Sequence, residues 1–412
     1  MKRILVYSHD TYGLGNIRRM LEISRHLVDR DPRVSILILS GSPMLHAFRI
    51  PARIDYVKLP CLTRTRSGGY AVKFLEMDYE EIVRMRRNLI LNTFVDFDPD
   101  LVLVDKKPLG ISDELAPMLE LASRRAHRTK VALVLRDILD APESTRQVWA
   151  RNRYHEAIRD HYDQVLVLGS PCVFDFAREY DFPEETRAKL TYCGYVGRER
   201  GSGFRERVRA ELGLQPDEKL VLATVGGGDD GDRILSCYVD GWRQAQSLRD
   251  RKVKTLLVCG PEMSATNRRM IINGGEENGL IVREFSDDMM TCMDAADVVV
   301  CMGGYNTVCE LLTLRKPAVV VPRARPVQEQ WIRAERMAAM GLMHAIHPDQ
   351  LQPSVLMDAV TAELDRIDAG VDAPVPAIDL KGLTRLYEAT SSLLEEGEST
   401  SGSYLRPAQV LR

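Results

Sequence analysis

The chain contains no apolar run long enough to cross a membrane or to form the core of a secretory leader, and Met1-Lys-Arg leads straight into a short strand-like stretch. A protein of the cytoplasm is therefore expected. Eight cysteines are scattered without a Cys-x-x-Cys pair or any metal-ligand spacing. They read as reduced, buried thiols, and neither a disulfide framework nor a metal centre is expected. A strong charge of either sign is also missing: 56 Lys+Arg stand against 59 Asp+Glu, a net charge of −3. That balance gives no reason to expect a nucleic-acid partner. Repeats of solenoid period are absent, as are low-complexity segments before the Ser/Gly-rich end.

What is present is apolar content and alternation. A chain of 412 residues, 45% of them hydrophobic, is long enough for two domains, each with its own core. Through Arg200 there are 32 Lys+Arg and 28 Asp+Glu, and 24 and 31 afterwards, so a mildly basic first half precedes an acidic second half. Short apolar runs at Ile4–Ser8, Val34–Leu39, Leu101–Val104, Val131–Leu135 and Val165–Leu168 are separated by stretches of helical spacing. A second series follows at Leu220–Val225, Thr255–Val258, Leu280–Val282, Val298–Val300 and Ala318–Val321. Such β-α alternation predicts an α/β protein with two doubly wound parallel sheets. The expected division is a first domain over 1–193, a glycine-rich linker at 194–203 and a second domain over 204–375. A terminal helix at 376–396 and a frayed tail at 397–412 complete it.

In open parallel sheets ligands bind beyond the carboxyl ends of the strands. In the first domain those positions hold His9 and Asp10, Ser40 to Ser42, Asp105 with Lys106 and Lys107, Arg136 with Asp137, and Gly169 with Ser170. The loop Gly13-Leu-Gly15-Asn16-Ile-Arg18 has arginine where a dinucleotide fingerprint needs its third glycine, and the second run ends without an acidic residue for a ribose. A nicotinamide-dependent oxidoreductase is disfavoured. Arg18 and Arg19 fall in the first helical turn, where a cation opposes the dipole, and are candidates for an anionic acceptor or a diphosphate.

The most informative stretch is Asp297 to Gly341. It runs Asp-Val-Val-Val-Cys-Met-Gly303-Gly304-Tyr-Asn306-Thr307-Val-Cys-Glu310, then Lys316-Pro-Ala-Val-Val-Val-Pro322, then Gln328-Glu-Gln330. A strand followed by a glycine turn and a helix offers free N–H groups at the positive helix end, where a diphosphate can sit, with Glu310 within reach of ribose hydroxyls. Taken alone, Thr307 and Glu310 also fit a capping box, which needs no ligand. A second glycine turn, Gly226-Gly227-Gly228, is followed by Asp229 and Asp230, which suit the start of a helix better than a metal site.

The stretch resembles the donor-site signature of family 28 glycosyltransferases, the group that contains the peptidoglycan N-acetylglucosaminyltransferase. The resemblance implies the GT-B architecture, two Rossmann-like domains facing a cleft, with the last helix crossing back to the first domain. It further implies that Glu310 holds the ribose, that the Gln328–Gln330 segment meets the sugar, and that Gly226 to Gly228, Gly303, Gly304, Asn306 and Thr307 line the donor. The nucleobase would lie near Arg283 and Phe285, and Arg323 and Arg325 would neutralise the diphosphate, so no metal and no further cofactor is expected. Gly13, Gly15, Asn16, Arg18 and Arg136 fall on the acceptor side. Many relatives carry a histidine where this chain has Asn16, and an amide cannot take a proton near neutral pH. The base is therefore sought in Asp10, then His9, then Asp137. The expected activity is inverting transfer from a UDP-sugar to an acceptor hydroxyl. A nucleotide-sugar hydrolase or 2-epimerase, or a silent sugar-nucleotide binding protein, remain alternatives. Arg84-Met-Arg86-Arg87 and Lys106-Lys107 allow a polyprenyl-linked acceptor and peripheral membrane contact.

Overall fold

The computed structural model describes residues 1–9, 15–45, 48–65, 69–125, 129–198, 204–227, 231–371 and 378–401. The first sheet contains β1 (Lys2–Ser8), β2 (Val34–Ser40), β3 (Ile54–Lys58), β6 (Leu101–Asp105), β7 (Lys130–Arg136), β8 (Gln164–Leu168) and β9 (Leu190–Tyr192). Its order is β3-β2-β1-β6-β7-β8-β9, with parallel pairing throughout. A small antiparallel hairpin, β4 (Leu62–Arg64) with β5 (Tyr70–Val72), stands beside it. The second sheet contains β10 (Lys219–Thr224), β11 (Val253–Val258), β12 (Ile281–Arg283), β13 (Val298–Cys301), β14 (Ala318–Val320) and β15 (His344–Ala345), in the order β12-β11-β10-β13-β14-β15. The central strands are runs of Val, Ile and Leu buried on both faces, as sheets covered by helices on both sides require. The expected α/β class with two parallel, doubly wound sheets is what the chain adopts.

Short polar edge strands, β3 and β15, and the hairpin β4–β5 are not signalled by apolar runs. The linker 194–203 lies partly outside the described residues, while Val196 bridges Lys381 just before the last helix. That helix, Gly382–Ser401, lies against the first domain. Lys2 Nζ donates to the Leu394 carbonyl at 3.2 Å, and Lys130 pairs with Glu396 at 3.0 Å. Among the described residues no helix is long and apolar enough to cross a membrane.

Candidate functional site

The carboxyl ends of β1, β6 and β7 lie side by side and bring His9, Asp105, Lys106, Arg136 and Asp137 to one edge of the first domain. Among the described residues three helices meet this edge. The helix Gly15–Arg30 leaves it, while Tyr305–Leu314 and Glu329–Ala339 approach it from the second domain. The two domains touch here through a set of ion pairs that sequence spacing gives no hint of.

The first set lies around Asp137. Arg333 is fully buried and grips that carboxylate with two bonds, Nε to Oδ2 at 2.7 Å and Nη2 to Oδ1 at 2.8 Å. Tyr195 donates its hydroxyl to Oδ2 at 2.8 Å. Gly169 makes room for this, since a Cβ there would stand 2.5 Å from that of Asp137. Arg333 also bonds Glu329 at 2.6 Å, and Arg136 bonds the other Glu329 oxygen at 3.2 Å. Burial pushes the Glu329 carboxyl up, but Arg136 and Arg333 together outweigh it and bring it down to about 2. Both oxygens of Asp137 are thus spent on a guanidinium, a phenol and the Ile138 N–H, a positioning arrangement that leaves no lone pair aimed at an acceptor. Among the sequence candidates for a base, Asp10 lies outside the described residues, as do Gly13 and Gly228 with Asp229 and Asp230.

His9 is buried, and among the described residues its ring nitrogen Nδ1 has no hydrogen-bond partner. Burial, followed by the charges of Lys106 and Lys107, holds its imidazole well below the usual range, so the ring is neutral. Asn16, in the first turn of its helix, donates its amide to the His9 carbonyl at 2.7 Å rather than capping the helix. Arg19 is buried against Asp105 at 2.5 Å and does not face an acceptor. Arg86, placed in a basic run by the sequence, is likewise internal and pairs with Glu114 at 2.6 Å.

The second set lies around Glu310. The turn after β13 passes through Gly303, whose φ of +65° and 2.5 Å clearance from Val320 exclude any other residue without strain. Gly304 is the N-cap of Tyr305–Leu314 and has no side chain to offer, so the first N–H groups stay free of side-chain caps. Thr307 sits inside the helix, which removes the capping-box reading. Glu310 is 1% exposed, and its Oε1 accepts from Arg18 at 3.1 Å and Arg198 at 3.0 Å. Asn306 reaches the Gly15 carbonyl at 3.5 Å. Arg198 was not among the residues singled out from the sequence; its only signal is its place in the linker between the two sheets.

The exposed Gln328 donates its N–H to Asp140 of the first domain at 2.9 Å, and Gln330 accepts from the Arg323 N–H at 3.0 Å, which fixes the turn before Glu329–Ala339. Arg325 is exposed and pairs with Asp349 at 3.1 Å, pointing its charge to the surface. Arg283 ends β12, and Phe285 is exposed two residues later. Gly226 has φ +63° and, with Gly227, packs against the loop at Gly260, whose own φ is +93°. A Cβ on Gly260 would stand 2.4 Å from the Gly226 carbonyl oxygen. Gly260→Ala is expected to destabilise the protein by about 1–3 kcal/mol, read from the midpoint of urea unfolding. An unchanged midpoint would mean the Gly226–Gly227 turn yields freely.

Residues 222–370 match the glycosyltransferase family 28 C-terminal domain. An uncharacterized glycosyltransferase of Methanopyrus kandleri is 28% identical over 57% of this chain and 62% of its own length. A UDP-N-acetylglucosamine--N-acetylmuramyl-(pentapeptide) pyrophosphoryl-undecaprenol N-acetylglucosamine transferase of Mannheimia succiniciproducens is 31% identical over 39% of this chain and 46% of its own length. The chain thus spans about half to three-fifths of the length of these two curated relatives. The crystal structure of MurG from Acinetobacter baumannii superposes with a TM-score of 0.62 at 13% identity, over 95% of this chain and all of that one, a likeness of fold. Residues 222–370 are thus similar to the glycosyltransferase family 28 C-terminal domain, and they are set within a GT-B fold.

Proposed function

We propose that the protein is an inverting glycosyltransferase that takes a sugar from a UDP-sugar and passes it to an acceptor hydroxyl without a metal or other cofactor. One observation carries the reading: an uncapped helix start at Gly303–Gly304 lies one turn before a buried carboxylate, Glu310, that faces arginines rather than solvent. The helix N-terminus suits a diphosphate, and Glu310 suits the ribose hydroxyls beside it. Arg18 and Arg198 are close enough to Glu310 to turn toward the diphosphate and offset charge as it departs. The Gln328–Gln330 segment, fixed by its bonds to Asp140 and Arg323, would meet the sugar at the edge where His9 stands. Closing the two domains on both substrates supplies orientation as well as exclusion of water.

The printed names of several relatives specify UDP-N-acetylglucosamine and an undecaprenol-linked acceptor, so that donor, and an acceptor at the inner face of a membrane, are the first to test. Exposed Phe74, Leu75, Met77 and Met85 beside Arg84 suit contact with such a surface. The deciding assay follows UDP release from UDP-N-acetylglucosamine and other UDP-sugars, with and without acceptors. Release that depends on an acceptor is the expected result. Release in water alone would indicate a hydrolase, appearance of the 2-epimer an epimerase, and tight binding without turnover a silent binding protein. Failure to bind any UDP-sugar would overturn the donor site altogether.

A further inference from the structure

We propose that Lys106 is the group that accepts the acceptor's proton, with His9 holding the acceptor hydroxyl beside it; the inference rests on the glycosyltransferase reading above. Lys106 directly follows β6, between the ends of β1 and β7, and its backbone is held at φ +70°, a conformation that a lysine adopts only under constraint from its surroundings. The side chain is half-buried, and among the described residues no carboxylate pairs with its ammonium. Two carboxylates among the described residues that act on its charge are already committed. Asp105 accepts from Arg19 and from the His9 N–H, and Glu329 accepts from Arg136 and Arg333. What remains around Lys106 is positive, Arg136 on β7 and Arg64 on β4.

Those surroundings act on its titration in one direction. Burial lowers the ammonium first, then Arg136 and Arg64 lower it further, to about 7, with Asp105 and Glu329 opposing. A substantial fraction is therefore free amine near neutral pH. His9, held well below its ordinary value, is the weaker base of the two, so a proton released between them goes to Lys106. Among the described residues Nδ1 of His9 has no partner, and an acceptor hydroxyl would satisfy it. Position agrees with this division of work. Lys106 follows β6, the neighbour of β7, whose last residue Arg136 bonds Glu329, the residue between Gln328 and Gln330 in the segment read as meeting the sugar.

The step balances simply. The acceptor O–H gives its proton to Lys106 Nζ, the oxygen's electron pair forms the bond to the anomeric carbon, and the bond from that carbon to the diphosphate oxygen breaks with its pair leaving on UDP. The ammonium then returns its proton to solvent.

The experiment compares Lys106→Arg and Lys106→Met with the unaltered protein. It measures UDP release from UDP-N-acetylglucosamine across pH, with the acceptor found in the assay above or, failing one, with water. Arginine keeps the charge and cannot act as a base. Both variants should lose kcat by at least about 100-fold, with UDP affinity and melting temperature near those of the parent. The parent rate should rise through about pH 7 and level off above it, and that limb should vanish in both variants. An arginine variant that keeps its rate while the methionine variant loses it would make Lys106 an anchor for an anionic acceptor and overturn the proposal. So would two fully active variants, or loss of turnover in Asp10→Asn alone. Should the variants unfold, the parent decides the matter: trinitrobenzenesulfonate labelling of Lys106, mapped by peptide mass, should have its midpoint near pH 7, and a midpoint near that of ordinary lysines refutes the idea. A parent that binds UDP-sugars without ever releasing UDP fails at the transferase reading, not at this one.

Discussion

Arg333→Met is expected to lower stability by about 3–5 kcal/mol, the typical effect of leaving buried charge without its partner. Arg333 has no exposure to solvent and serves two carboxylates, Asp137 in the first domain and Glu329 on its own helix. Without it, among the described residues, Asp137 retains Tyr195 and the Ile138 N–H but no cation, and Glu329 retains Arg136. The loss should appear in the midpoint of chemical unfolding and should be accompanied by a looser association of the domains, seen as a larger radius of gyration in small-angle scattering. Asp137→Asn in the same background should restore part of the stability, because it removes the charge that methionine cannot answer. If Arg333→Met proved neutral, the ion network would have to be replaceable by packing around Ile332, which lies in the core of the first domain. The comparison therefore measures how far the domains are joined by charge rather than by apolar area.

How far the sequence revealed this molecule depends on the range of the interaction. The runs Leu101–Val104 and Val298–Val300 appear as β6 and β13 almost residue for residue, because strands buried on both faces must be continuous apolar stretches. The glycine turn at Gly303–Gly304 was equally legible, since its φ and its clearance from Val320 demand glycine. By contrast, β3 and β15 escape notice because exposed edge strands carry mixed side chains. The site was legible only in parts. Glu310 could be placed on a helix after a glycine turn, but nothing in its neighbourhood announces Arg18, separated from it by 292 residues. Asp137 reads as a free carboxylate at a strand end and becomes, once folded, the counter-ion of an arginine 196 residues away. Lys106 was visible as a strand-end cation; its left-handed backbone and the prior commitment of Asp105 and Glu329 are properties of the fold.

Glu310→Ala should weaken binding of UDP-N-acetylglucosamine by roughly 10- to 150-fold, the equivalent of about 1.5–3 kcal/mol for hydrogen bonds to a charged group. On the proposed reading the donor takes this carboxylate from Arg18 and Arg198, so the measured affinity is a difference between two sets of bonds. Arg18 is more than a third exposed and can turn to water when released, whereas Arg198 is largely covered and must find the diphosphate or stay. Arg18→Ala removes one competitor for Glu310 and is expected to leave donor affinity unchanged or raise it, unless Arg18 itself moves onto the diphosphate, when affinity falls. Calorimetric titration of UDP-N-acetylglucosamine into both variants separates these outcomes. A Glu310→Ala protein that binds the donor as tightly as the parent while melting at a lower temperature would reduce Glu310 to a bolt between the domains. In that case the free N–H groups at Gly303–Gly304 would have to hold the nucleotide without it.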